Sequence, residues 1–109
     1  MMVLANVAGR SLTDPLLAPI WSEINRRALP MLVYPTDLPG IEEMDMRKYD
    51  PSWSVGCIAD TSLASMRIIF DGLLDLYSSL KLIASHGGRA LPYLVGRCGK
   101  ANARQILGI

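Results

Sequence analysis

The chain has 109 residues, half of them hydrophobic and 19% charged, and its 11 Lys and Arg against 10 Asp and Glu leave a formal net charge of +1. That size suits one small core or part of a larger domain, and the composition excludes a disordered or fibrous chain. The near-neutral balance speaks against nucleic acid or an anionic membrane surface as a partner, and the apolar run Ile68-Ile69-Phe70 is broken by Arg67 and Asp71, too soon for a bilayer span.

Residues 2–7 read as a first strand, followed by a polar turn over 6–14. Asp14-Pro15 starts a helix over 15–28, because Asp caps free N–H groups and Pro is tolerated in the first turn. Leu17, Ile20, Trp21, Ile24 and Ala28 form its apolar face, although Pro19 delays the regular part. Residues 31–35 form a second strand, ended by Pro35, which cannot donate to a sheet ladder.

Residues 36–56 show no periodicity and hold five of the ten acidic residues. A loop of that length suits a lid, with Tyr49, Trp53 and methionines to bury. A helix over 58–77 follows, with Leu63, Met66, Phe70, Leu73 and Tyr77 on one stripe, Asp60 or Thr61 as cap, and Gly72 weakening its end. The third strand, over 81–85, runs into His86-Gly87-Gly88, and Pro92 opens a last helix over 92–107. Leu91, Leu94, Val95, Cys98 and Ala101 share one side of that helix, and Arg97, Lys100 and Arg104 another.

Cys57 and Cys98 form no CxxC pair and are too few for a disulfide framework, which implies two reduced thiols in a cytoplasmic protein. Met1 to Ala8 lacks the charged start of a signal peptide.

The order β-α-β-α-β-α calls for parallel strands covered by helices, either as a small open sheet or as part of a (β/α)8 barrel. Both put ligands at the carboxyl ends of the strands, which makes neighbours of Asn6, Tyr34 and His86. His86, the single histidine, fits either a hydrogen-bonded structural residue or a proton carrier at that rim. Tyr34 either packs or orients a substrate oxygen. Arg97 either grips a carboxylate or phosphate with its planar fork or, with Lys100 and Arg104, lines a solvated face. The Gly87-Gly88 helix start is a candidate anion site. One histidine with no HxH or HExxH leaves no metal site in the chain, and Ser85, adjacent to His86 on a strand, points to the opposite side.

His86-Gly87-Gly88, Ala90-Leu91-Pro92 and Gly96-Arg97 resemble the HGG-x-ALP-x-x-x-GR signature of the amidohydrolase-related family, the branch of metal-dependent decarboxylases of small carboxylated rings and ring-opened acids. Leu32-Val33-Tyr34-Pro35-Thr36-Asp37 is similar to the family's VHPWD strand end. Trp53-Ser54-Val55-Gly56 with Asp60-Thr61 is similar to its WLVG...ET segment, and Gly72 to Leu82 to its GVxxxFPxLK segment. The resemblance implies about three parallel strand-helix units from the middle of a (β/α)8 TIM barrel, an α/β fold, as a single incomplete domain over 1–109.

It further implies a lyase or hydrolase with a divalent metal, zinc, and a dimer or other homo-oligomer. His86 matches a catalytic histidine that moves protons, and Arg97 an arginine that binds the substrate carboxylate, either in its own subunit or across a dimer interface. Tyr34 occupies a metal-histidine position, and a phenol is a poorer ligand there. The HxH pair would precede Met1 and the metal-binding Asp would follow Ile109. The segment alone is therefore expected neither to hold metal tightly nor to turn over. The rival reading is a non-catalytic assembly module that associates through open sheet edges, or a small anion-binding module.

Overall fold

A computed structural model describes residues 1–37, 40, 42–45 and 48–107, the last seven by their backbone alone. Leu38, Pro39, Ile41, Met46 and Arg47 of the expected loop lie outside the described residues, as does the Arg104 side chain.

Three strands make a parallel sheet in the order β1 (Met2–Leu4), β4 (Pro30–Tyr34), β5 (Lys81–Ala84). Leu4 pairs with Tyr34, and Val33 with Ala84. The first strand is shorter than its apolar run. At Ala5 the chain leaves the sheet, and β2 (Asn6–Val7) pairs antiparallel with β3 (Arg10–Ser11) in a hairpin. Ala8 and Gly9 at its tip both have positive φ, 51° and 80°, as a two-residue hairpin of right-handed twist requires.

A 3-10 turn over Pro15–Leu17, capped by the Asp14 carboxylate on the Leu16 N–H, leads into α1 (Ala18–Arg26). The regular helix thus starts one residue before Pro19, whose missing N–H would have no intrahelical partner there. Trp21 and Ile24 are buried, and the Trp21 indole N–H donates to the Leu12 carbonyl at 2.7 Å. Ile20 and Ala28 are exposed, so the apolar face is narrower than the spacing suggests.

Helix α2 spans Cys57–Phe70 and is continuous with a wider π-helical turn over Ser52–Gly56. Because the helical winding begins before Asp60 and Thr61, neither caps it. The stripe facing the sheet is Asp60, Thr61, Ala64, Ser65 and Ile68, and Leu63 and Phe70 point outward. Small side chains there let the helix sit close over Met31 and Val33, which are fully buried. Gly72, at φ 75°, ends the helix, and the short α3 (Leu73–Leu76) follows. The last helix, α4 (Leu91–Leu107), packs on α2, where the Cys98 thiol meets Met66 sulfur at 3.4 Å. Both cysteines are free thiols.

The core is one-sided. Val3, Met31, Val33 and Leu82 face Trp21, Ile24, Ala64 and Ile68. The register puts Met2, Leu4, Tyr34 and Ile83 on the other face, where all four are exposed. Tyr49 and Trp53 are 90% and 77% exposed, so the loop does not bury the aromatics expected to seat a lid. Among the described residues no helix is long and apolar enough to cross a membrane.

Candidate functional site

The parallel pairing of β4 with β5 brings their carboxyl ends side by side. Tyr34 closes β4, and His86 follows β5 by two residues. Their rings meet with centroids 5.4 Å apart and planes inclined at 49°. Both side chains are exposed toward a cavity of about 350 Å3, whose lining includes Asp37, Trp53, Cys57 and Arg89.

The local chain explains this display. After Ser85 the backbone turns at His86 (φ 54°), Gly87 and Gly88 in a 3-10 turn. Having left the strand, His86 does not point away from Ser85: its Nδ1 lies 3.1 Å from the Ser85 hydroxyl, which is buried. That contact orients the imidazole and leaves the rest of the ring toward the cavity.

Three of the N–H groups around the turn already have acceptors within the chain. Gly88 N–H donates to the Ser85 carbonyl, Arg89 N–H to the His86 carbonyl, and Ala90 N–H to the Ser62 hydroxyl at 3.2 Å. The positive φ of Gly87 and Gly88 therefore serves the chain reversal, and a Cβ on Gly87 would meet nothing within 4 Å.

Asn6 braces the rim instead of entering the cavity. Its Nδ2 donates to Asp60 Oδ1 and to the Asp37 carbonyl, both at 3.0 Å, and its Oδ1 accepts from the Gly9 N–H. Asp60 is buried, and its Oδ2 accepts the Thr36 N–H at 2.9 Å. One carboxylate inside α2 thus ties the end of β4 to the segment after β1. Thr61, the next residue, is also fully buried, and among the described residues its hydroxyl has no partner.

Arg97 lies exposed on α4 and does not line the cavity of Tyr34 and His86; Lys100 is exposed as well. The cation that does line it, Arg89, carries no mark of a site in the sequence beyond its place after two glycines. Its backbone, at φ 54° and ψ −119°, suits the first central position of a type II′ turn, where glycine is at home. Holding an arginine there costs about 1 to 3 kcal/mol. A larger cavity of about 810 Å3 runs along the edge of β1, between Leu4, Trp21 and the acidic Asp37 and Glu43, and among the described residues its lining includes neither His86 nor an arginine.

No family model matches the chain. Among curated proteins it is similar to the 2-amino-3-carboxymuconate-6-semialdehyde decarboxylase of Dictyostelium discoideum, with 34% identity over 93 residues that take in 85% of the chain and 25% of that protein. The gamma-resorcylate decarboxylase of Polaromonas sp. (strain JS666) is 32% identical over 93 residues, 78% of the chain and 27% of the relative. The chain is a partial homologue of the amidohydrolase-related decarboxylases.

It spans about a quarter of the length of the curated relatives it matches. A third member, the 6-methylsalicylic acid decarboxylase of Penicillium expansum, shares 30% over 79 residues, covering 72% of the chain and 24% of the relative. The metal that the family resemblance implies does not fit these side chains. Tyr34 offers a phenol, and among the described residues no three His, Cys, Asp or Glu side chains stand together as ligands for one ion.

Proposed function

We propose that this chain is a segment of a (β/α)8 barrel decarboxylase, supplying one wall of the pocket for a small carboxylated aromatic acid or a ring-opened acid. The supporting observation is the meeting of Tyr34 and His86 over a cavity at the carboxyl ends of parallel strands, the place where barrels and open sheets bind ligands. His86 gives a proton to the ring carbon that bears the carboxylate. The bond from that carbon to the carboxylate then breaks, carbon dioxide leaves, and its electron pair restores the ring. Tyr34 orients the substrate beside the imidazole. A zinc ion belongs to the whole-protein reading, and its ligands come from outside this chain.

Co-expression with the remaining segments of the Polaromonas decarboxylase tests the proposal. The assembled complex releases carbon dioxide from 2,6-dihydroxybenzoate. Adding His86→Gln lowers that rate by about 100-fold or more, the usual worth of a positioned proton donor. An assembled complex that is equally active with His86→Gln contradicts the role given to His86.

A second reading rests on the bare sheet face. Met2, Leu4, Tyr34 and Ile83 form an exposed apolar surface that no helix covers among the described residues, and a second copy of the chain covers it in a homo-oligomer.

A further inference from the structure

We infer that copies of this chain join head to tail: the free edge of β5 and the outer side of α4 in one copy dock on the free edge of β1, and the hollow beside it, in the next. The inference rests on the self-association reading of the bare sheet face and names the surfaces that meet. Among the described residues no strand lies on the outer side of β1 or of β5. Met2-Val3-Leu4 carries neither the charge nor the proline that commonly guards an exposed edge. The Met1 carbonyl and the Ala5 N–H both bond to β4, so alternation along the strand turns the N–H and C=O of Met2 and Leu4 outward. On β5 the Ser85 N–H bonds to the Val33 carbonyl, which leaves those of Leu82 and Ala84 outward in the same way.

A parallel pairing that sets Leu4 opposite Ile83 of the neighbouring copy uses all of these groups. The Leu4 N–H donates to the Leu82 carbonyl, the Leu4 carbonyl accepts from the Ala84 N–H, and the exposed Leu4 and Ile83 side chains meet on the bare face. Charge selects which edges join. Asp37 and Glu43 line the hollow beside β1. No Asp or Glu follows Asp75, and Lys81 on β5 and Arg97 and Lys100 on α4 are exposed. Each edge therefore repels its own kind and attracts the other. The topology agrees, because a helix that follows a strand in a parallel sheet covers the crevice toward the next strand, and no further strand follows α4 among the described residues. One side of α4 packs on α2, Tyr93 and Val95 are exposed, and the hollow offers Leu17 and Ile20 to them. The contact is heterologous and repeats from copy to copy, which gathers the bare faces on one side of a continuous sheet.

Leu4→Pro and Ala84→Pro test the pairing, since each removes an outward N–H and leaves the bonds within the sheet intact. By light scattering the wild type exceeds the monomer mass, and each variant alone is a monomer that melts close to the wild type. An equimolar mixture of the two gives a species of twice the monomer mass that grows no further, because it joins the one intact β5 edge to the one intact β1 edge. In the wild type itself, hydrogen exchange at the Leu4 and Ala84 amides slows by about tenfold or more as concentration rises and the oligomer forms. Proline variants that associate like the wild type, a mixture that stays monomeric, or Leu4 and Ala84 amides that exchange equally fast in oligomer and monomer overturn the inference. If Ile83→Lys abolishes association while the proline variants still associate, the bare-face contact stands and the edge contact falls. A wild type that is monomeric throughout overturns it as well, and assigns the edges to the co-expressed Polaromonas segments where it joins them.

Discussion

Asp60 does the most to shape the site without touching the cavity. Its two carboxylate oxygens accept from Asn6 and from the Thr36 N–H, so a single buried side chain holds the ends of two strands in register with α2. Replacing an acceptor-only group by an amide sets an NH2 group against one of those donors. Asp60→Asn is therefore expected to lower stability by about 1 to 3 kcal/mol in urea unfolding. A change within about 0.5 kcal/mol, the usual range for an uninvolved surface position, would contradict this account of Asp60. None of it is visible in the sequence, where an acidic residue near a helix start reads as a cap. The helix begins earlier, through Ser52–Gly56, and turns the same carboxylate inward. Arg89 escapes a sequence reading for a related reason: burial and an unpaired Nε are properties of the folded chain.

Single elements follow their local signals where those signals are conformational. Gly72 stops α2, Gly87 and Gly88 reverse the chain after β5, and Pro92 stands in the first turn of α4. Periodicity is a poorer guide to α2, because the side chains facing the sheet are small and partly polar while larger apolar ones face outward. The hairpin at Ala8-Gly9 reads only as a polar turn, since alanine at positive φ is imposed by strand pairing and not by its own preference.

Electrostatic support of α1 is local too. Arg26 and Arg27 both donate to the Glu23 carboxylate and hold its pKa down at about 2, against an ordinary 4.5. A carboxyl whose folded pKa is depressed adds stability above its unfolded pKa, and that stability is lost as pH falls toward the folded value. The difference in melting temperature between wild type and Glu23→Gln is thus expected to be full above about pH 4.5 and to vanish toward pH 2. Asp71, held below its usual range by the Thr13 hydroxyl and then by Arg67, moves in the same direction. A difference independent of pH would remove the ion-pair explanation. The pairs are exposed, so the effect is small and shrinks with added salt.

At the scale of the molecule the governing fact is a sheet dressed on one side. Helices bury Met31 and Val33 and partly cover Val3, and the opposite face leaves Ile83 52% exposed beside Leu4 and Tyr34. The proposed self-association through that face predicts sedimentation that depends on concentration, shifted to monomer by Ile83→Lys with little change in melting temperature. A wild-type chain that stays monomeric across the same concentrations removes the second copy from the account. The element order and parallel strands were legible from alternating apolar runs and turn residues, whereas the bare face emerges only from the register of three short strands.

Two hollows compete for the ligand: the one between Tyr34 and His86 and the larger one along the edge of β1. The decisive measurement is an isotope-edited NOE spectrum of the chain with bound 2,6-dihydroxybenzoate. Contacts from the ligand ring protons to the His86 imidazole and the Tyr34 ring are the predicted result, and contacts to Ile20 and Trp21 instead would contradict it.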